Sequence, residues 1–219
     1  DRWRFIFERI EAMRAQGLDV SAQVAPRPIG AILSFASTTN PFLATPTYRR
    51  IWKETEGRLD ARLAALRDPE VKAQILAEHV HVNLTGNGGV LTKGYGRMFR
   101  LTDPVDYEPG IDSSLQAEAA RAGRDAADYV YDVLLEEGGR RLVYLPINNY
   151  YYGNLDAVHG MMTGPHTLYG LSDGGAHCGT ICDGSFPTST IALWSKGNKA
   201  GRAMPLESLV HGYTQRNAR

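Results

Sequence analysis

The chain has 219 residues, 43% of them hydrophobic and 22% charged, and its 24 basic and 24 acidic side chains give a formal net charge of zero. This is the composition of an ordinary globular protein with enough apolar residues for one sizeable core. A nucleic-acid binder needs a basic surface, and a membrane span needs roughly 18–20 consecutive apolar residues. The sequence has neither feature, so we expect no nucleic-acid partner and no membrane partner.

The first segment of the chain has the pattern of a helix followed by a strand. Apolar residues recur at helical spacing and Gly17 follows as a stop signal: Trp3, Ile6, Ile10 and Met13. Residues 18–24 alternate between apolar and polar side chains and predict a strand, which the prolines at 26 and 28 end. The Ser-, Thr- and Pro-rich residues 29–46 predict a long loop.

Helices dominate the middle of the chain. Asp68-Pro69-Glu70 combines an N-cap carboxylate, a proline at the first helical position and an acidic first turn, and so predicts a helix start. The glycines of residues 83–96 predict irregular structure. Ser113 or Ser114 is expected to cap a helix that ends at Gly123, and a further helix closes at residues 138–139.

The last third alternates strands and helices. Residues 142–145 predict a buried strand stopped by Pro146, and residues 167–171 predict another. Helices are expected over residues 155–162, 185–194 and 205–214. Few strands separated by helices favour parallel pairing, so the predicted fold class is α/β.

One strand runs directly into a candidate catalytic segment. The apolar strand 167–171 is followed by Ser172-Asp173-Gly174-Gly175-Ala176-His177. In parallel α/β folds, side chains at the carboxyl ends of strands form the active site. A carboxylate there can take a proton from a metal-bound water and pass it to a leaving amine. Asp-Gly-Gly is equally a good turn sequence, so the residues alone leave both interpretations open.

The same segment carries a resemblance to a known family. Together with residues 181–188 and Trp194, it resembles the closing barrel strand and following loop of the amidohydrolase branch that contains the N-acyl-D-amino-acid deacylases. Supporting similarities span essentially the whole chain, at Gln23-Val24, Arg27-Pro28, residues 66–70, residues 106–109, Asn149-Tyr150 and residues 205–207. By this resemblance Asp173 is the acid/base carboxylate.

The resemblance implies a specific architecture and cofactor. The chain would be the C-terminal part of a metal-dependent (β/α)₈ (TIM-like) barrel, a single partial domain over residues 1–219 with a helical insertion at 29–140. One or two zinc ions would be expected, with Asp173 as a possible ligand. The remaining zinc ligands, the first barrel strands and a small β domain would lie outside this chain. His79-Val80-His81 has the spacing of the family's metal motif but lies in the predicted insertion, where an ordinary partly exposed alternation accounts for it.

Further residues are candidates for substrate binding. Arg27 could pair with a substrate carboxylate or form an ordinary salt bridge, and Tyr150 could line a pocket or pack in the core. Gly174 and Gly175 would let the backbone approach the substrate, and His177 could orient substrate, bond the carboxylate or merely pack.

The function implied by the resemblance is zinc-dependent hydrolysis of a linear amide bond in an N-acyl-D-amino acid or a similar small amide. Cyclic amide opening and a catalytically inactive binding fragment are the alternatives. The expected partner is the small-molecule substrate, and oligomer formation is possible. Cys178 and Cys182 make no disulfide framework, which favours a reducing, cytoplasmic compartment.

Overall fold

The computed structural model of this chain describes residues 2–171, 179–181 and 183–218. Asp173, Gly174, Gly175 and His177 lie outside the described residues, and so do both cysteines. Among the described residues, no helix combines the length and the apolar character that a bilayer span requires.

The described residues form helices and short strands in the following order. The first half contains α1 (Arg2–Arg14), β1 (Ala22–Val24), β2 (Ile29–Leu33), α2 (Pro46–Glu54), α3 (Leu59–Leu66), α4 (Pro69–Val80), α5 (Gly86–Lys93) and β3 (Phe99–Arg100). The second half contains α6 (Leu115–Arg121), α7 (Ala126–Gly139), β4 (Val143–Asn148), α8 (Asp156–Met162), β5 (Thr167–Tyr169), α9 (Phe186–Trp194) and α10 (Leu206–Tyr213).

The strands form two small sheets. β1 and β5 are parallel, with Ala22 opposite Thr167 and Val24 opposite Tyr169. The second sheet has the order β2-β4-β3, and its β3–β4 pair is antiparallel. A (β/α)₈ barrel instead places successive parallel strands side by side with a helix after each. The prediction that this chain is the C-terminal part of such a barrel is therefore wrong.

The chain groups into two compact units. The described residues of the first unit lie within Asp1–Ile29, Asn148–Ala176 and Cys182–Arg219, and those of the second lie within Gly30–Ile147 and His177–Ile181. The first unit contains the parallel strand pair with α1, α8, α9 and α10. Residues 30–140 of the predicted insertion fall in the second unit, which contains α2 to α7.

Two predicted helix starts are confirmed by cap geometry. The Asp68 carboxylate accepts a hydrogen bond from the Glu70 amide at 2.8 Å and begins α4. The Ser114 hydroxyl accepts one from the Ala117 amide and begins α6. These side chains satisfy first-turn N–H groups that have no partner inside the helix.

Three local predictions are wrong. Residues 29–33 form β2 rather than the start of a loop, and the glycines of residues 86–89 open α5 rather than an irregular segment. Pro146 does not stop β4, which continues to Asn148. At each of these places local propensity is outweighed by packing, because β2 and the first part of β4 are largely buried.

The second unit has a core centred on aromatic rings. The rings of Phe35 and Phe42 each lie with their centroids 5.1 Å from the centroid of Tyr131. Tyr48 stacks on Phe35 at 6.0 Å, and all four side chains are fully buried. Aromatic contacts in these tilted and edge geometries stabilise a core beyond the burial of their area.

Candidate functional site

The candidate site lies in the first unit at the carboxyl ends of β1 and β5. The amide of Gly170 donates to the Val24 carbonyl at 2.9 Å, so the two strands are still paired where β1 ends. Arg27 follows β1 by three residues. Side chains that follow parallel strands at this edge are the ones that bind ligands in α/β folds. Arg27 is therefore in the position of a binding residue.

Arg27 is a buried cation held in one orientation. Its side chain is 3% exposed, and its guanidinium carbon lies 3.7 Å from the centroid of the Phe186 ring. Nε donates to the Ser189 hydroxyl at 2.9 Å, and Nη2 donates to the Ser185 hydroxyl at 3.0 Å. Nη1 also donates to the Pro28 carbonyl at 3.2 Å, so all three guanidinium nitrogens donate to protein atoms and the orientation of the guanidinium is fixed.

The residues that hold Arg27 come from the start of α9. Ser185 and Ser189 are four residues apart, so they lie on one face of the helix start, and Phe186 and Trp194 are fully buried. The Trp194 indole donates to the Pro26 carbonyl at 2.7 Å and fixes the backbone just before Arg27. Neither of the two sequence interpretations of Arg27, a substrate contact or a salt bridge, indicated this arrangement, and neither did the predicted helix over 185–194. Only the one-turn spacing of the two serines could have shown it.

The environment of Arg27 perturbs a nearby phenol. Burial raises the pKa of Tyr213 above its usual value, while the Thr190 hydroxyl, which lies 2.9 Å from the phenol oxygen, and the charge of Arg27 both act to lower it. The pKa of Tyr213 is raised on balance, because the free-energy cost of removing a phenolate from water exceeds the stabilisation that these two contacts give it. Tyr213 is therefore a neutral neighbour of the arginine, not an acid.

Tyr150 lies near this edge but not as an open pocket residue. It is 3% exposed and follows the end of β4 by two residues. Its neighbour Asn149 donates to the Ala25 carbonyl at 3.2 Å, which ties this segment to the one that carries Arg27. Substrate binding by Tyr150 stays a prediction, as do the roles of Asp173, Gly174, Gly175 and His177.

His79 and His81 do not form a metal motif. The pair lies at the end of α4 rather than on a strand, so the two rings do not share a face. His79 is 2% exposed and its Nε2 lies 2.6 Å from the Tyr95 hydroxyl. Burial lowers the pKa of His79, which keeps the ring neutral. Within the part of the chain that the structure describes, no three His, Cys, Asp or Glu side chains are grouped to hold a metal ion.

The fold and this edge therefore define an α/β protein with a buried arginine just after the first strand of a parallel pair. No family model matches the sequence, and no solved structure matches it. A curated relative, named "Probable porphobilinogen deaminase", from Methanocella arvoryzae (strain DSM 22066 / NBRC 105507 / MRE50), is 29% identical over 129 residues. The match covers 55% of this chain and 39% of the relative, so the chain spans about two fifths of the relative's length.

This comparison corrects the expectations that came with the family resemblance. The relative is named as a deaminase that acts on porphobilinogen, not as an amidohydrolase. The assignment to the N-acyl-D-amino-acid deacylases is wrong, and with it the zinc-dependent hydrolysis of linear amides. The alternatives of cyclic amide opening and an inactive fragment gain no support either. The zinc expectation rested on the same resemblance and is wrong for the same reason.

Proposed function

We propose that this chain forms part of an enzyme that acts on a small carboxylated substrate, with Arg27 as the residue that binds the carboxylate. The single observation behind this proposal is the fixed, buried guanidinium at the carboxyl edge of the β1–β5 pair. A buried arginine costs free energy in desolvation. The position of such a costly group beside a strand edge therefore favours a role in ligand recognition.

The name of the relative suggests which substrate to test first. Porphobilinogen is a pyrrole that carries two carboxylate groups and an aminomethyl group, so it offers Arg27 an anion that the positive charge of the guanidinium attracts. Solvent barely reaches Arg27, and the attraction between the two charges is therefore stronger than it would be in water. An N-acyl amino acid, the partner expected from the sequence, carries one carboxylate and is proposed as the second ligand to test.

The experiment compares three forms of the full-length protein: wild type, Arg27→Lys and, as a matched control, Arg9→Lys. Arg9 is an exposed residue of α1 in the same unit. Ammonia release from porphobilinogen gives activity, and isothermal titration calorimetry gives the binding of porphobilinogen and of N-acetyl amino acids. Lysine keeps the positive charge but loses the planar pair of donors.

We expect Arg27→Lys to weaken binding of the carboxylated ligand by at least about tenfold, which is 1.4 kcal/mol, and Arg9→Lys to leave it unchanged. Circular dichroism and denaturant unfolding of Arg27→Lys establish that the variant is folded. Equal affinity in Arg27→Lys and wild type would remove Arg27 from substrate binding. Absence of binding and of ammonia release in the wild type would reject both the substrate and the function.

A further inference from the structure

A separate cavity lies at the other end of the β1–β5 pair. It has a volume of about 750 Å³ and is lined by the residues that precede or begin the two strands, by the end of α1 and by residues from α10 onward. Its lining residues are Arg14, Asp19, Ser21, His166, Thr167, Leu168, His211, Arg216 and Asn217. This volume is within the range of roughly 300–1,000 Å³ that is typical of small-molecule sites. A second cavity of about 540 Å³ shares His211 and Arg216 with it.

The charged side chains that line this cavity are mainly basic. Among the lining side chains, Arg14 and Arg216 contribute two permanent cations and Asp19 one carboxylate, and two imidazoles add further hydrogen-bonding groups. A second carboxylate, that of Glu11, lies 3.8 Å from Nε2 of the lining His166. Asp19 accepts a hydrogen bond from Nη1 of Arg14 at 2.7 Å and is itself 94% exposed at the side chain. Of the charged side chains that line the cavity, two are therefore basic and one is acidic, which favours an anionic ligand.

Both guanidinium groups are fixed through one nitrogen. Nη1 of Arg14 donates to the Val20 carbonyl at 2.8 Å as well as to Asp19, and Nη1 of Arg216 donates to the Thr167 carbonyl at 3.3 Å. Within residues 2–171, 179–181 and 183–218, Nε and Nη2 of these two arginines donate to no protein atom. Each arginine therefore keeps an unused N–H edge suited to a carboxylate.

The outer edge of β5 explains how Arg216 reaches this cavity. The backbone of His166 and that of Gly170 both bond to β1. The carbonyls of the alternate residues, Thr167 and Tyr169, therefore face away from β1. These two carbonyls accept hydrogen bonds from side chains rather than from a neighbouring strand. Arg216 donates to the Thr167 carbonyl, and Asn217 donates to the Tyr169 carbonyl at 2.8 Å. The segment after α10 is thus held along the strand with Arg216 at the cavity wall.

We infer that this cavity binds a small organic dianion that carries two carboxylate groups, one on Arg14 and one on Arg216. The two arginines come from different elements, α1 and the segment after α10, and they bond different backbone carbonyls, those of Val20 and Thr167, so each is available to its own anionic group. A carboxylate placed against Nε and Nη2 of an arginine makes two parallel charge-assisted hydrogen bonds. This site does not involve Arg27, and its existence does not depend on the proposed substrate.

The test is isothermal titration calorimetry of the full-length protein at low ionic strength, with glutarate as the dicarboxylate probe. Inorganic phosphate and the neutral dimethyl ester of glutarate serve as comparison ligands. The variants are Arg14→Gln and Arg216→Gln, with Arg9→Gln as the matched control because Arg9 is exposed on α1 and does not line the cavity. The Arg27→Lys variant is titrated as well.

We expect saturable binding of glutarate, weakened at least about tenfold by Arg14→Gln and by Arg216→Gln, and unchanged in Arg9→Gln and in Arg27→Lys. Loss of glutarate binding in Arg27→Lys alone would show that the dicarboxylate occupies the substrate site and would overturn the inference. Phosphate binding as tight as that of glutarate would overturn the two-carboxylate assignment. Absence of saturable glutarate binding in the wild type would overturn the site itself, whether or not porphobilinogen is a substrate. Arg14→Gln keeps the test decisive if Arg216→Gln loses its fold, because Arg14 bonds Asp19 and the Val20 carbonyl, whereas Arg216 bonds the Thr167 carbonyl of β5.

Discussion

Tyr131 offers a direct test of how the second unit is held together. Its hydroxyl donates to the Leu66 carbonyl at 2.9 Å, and both residues are fully buried. α3 ends at Leu66, so this carbonyl belongs to the last turn, where no later amide of the helix can reach it. The substitution Tyr131→Phe keeps the ring, and therefore its packing on Phe35 and Phe42, but removes this one hydrogen bond.

The expected loss follows from leaving a buried carbonyl without its donor. An unsatisfied buried polar group costs about 1–3 kcal/mol. For a chain of this size each kcal/mol lowers the melting temperature by roughly 2–4 °C. We therefore expect Tyr131→Phe to lower the free energy of unfolding by about 1–3 kcal/mol and the melting temperature by about 2–12 °C.

Urea denaturation followed by far-UV circular dichroism measures the free energy of unfolding, and differential scanning calorimetry measures the melting temperature. The matched control is Tyr151→Phe, because the Tyr151 side chain is 80% exposed. Its loss should stay within about 0.5 kcal/mol, as for most surface substitutions. Equal stability of Tyr131→Phe and Tyr151→Phe would refute the role assigned to the buried bond.

Two further predictions concern α4. Asp68→Ala removes the N-cap acceptor of the Glu70 amide and should lower the free energy of unfolding by about 1 kcal/mol. Asp68→Asn keeps a capping oxygen and should lower it by only about a few tenths of a kcal/mol. Equal losses for the two variants in chemical denaturation would contradict the cap assignment. Burial lowers the pKa of His79 below its ordinary value of 6.5, so the unfolded chain binds the proton more readily. The resulting stability is present above pH 6.5 and is lost as the pH falls toward the folded pKa, by at most about 1.4 kcal/mol per pH unit. Unfolding free energies measured from pH 7.5 to 5 should show this decline in the wild type and a shallower one in His79→Gln, and identical profiles would refute it.

Local sequence signals located the starts of α4 and α6, but they did not locate α2, α3 or α5 or the pairing of the strands. Asp68-Pro69 and Ser114 act through bonds within one helical turn, so the residues that begin α4 and α6 can be recognised without knowing the rest of the chain. The pairing of β1 with β5 instead joins segments separated by most of the chain. Nothing in the alternation of residues 18–24 specifies that partner.

The candidate site shows the same division. Arg27 could be selected because a proline-flanked arginine directly after a predicted strand is at the edge where ligands bind. Its partners Ser185 and Ser189 lie about 160 positions away in the sequence, and no pattern near Arg27 indicates them. The cavity lined by Arg14 and Arg216 was not foreseen at all, because its wall is assembled from both ends of the sequence.

The proposed function is tested most directly by titrating porphobilinogen into the full-length protein and its Arg27→Lys variant. We expect saturable binding to the wild type with release of ammonia, and affinity at least about tenfold weaker in Arg27→Lys. Equal binding by the two proteins, or no binding by either, would contradict a carboxylate-binding role for Arg27 at the edge of the β1–β5 pair.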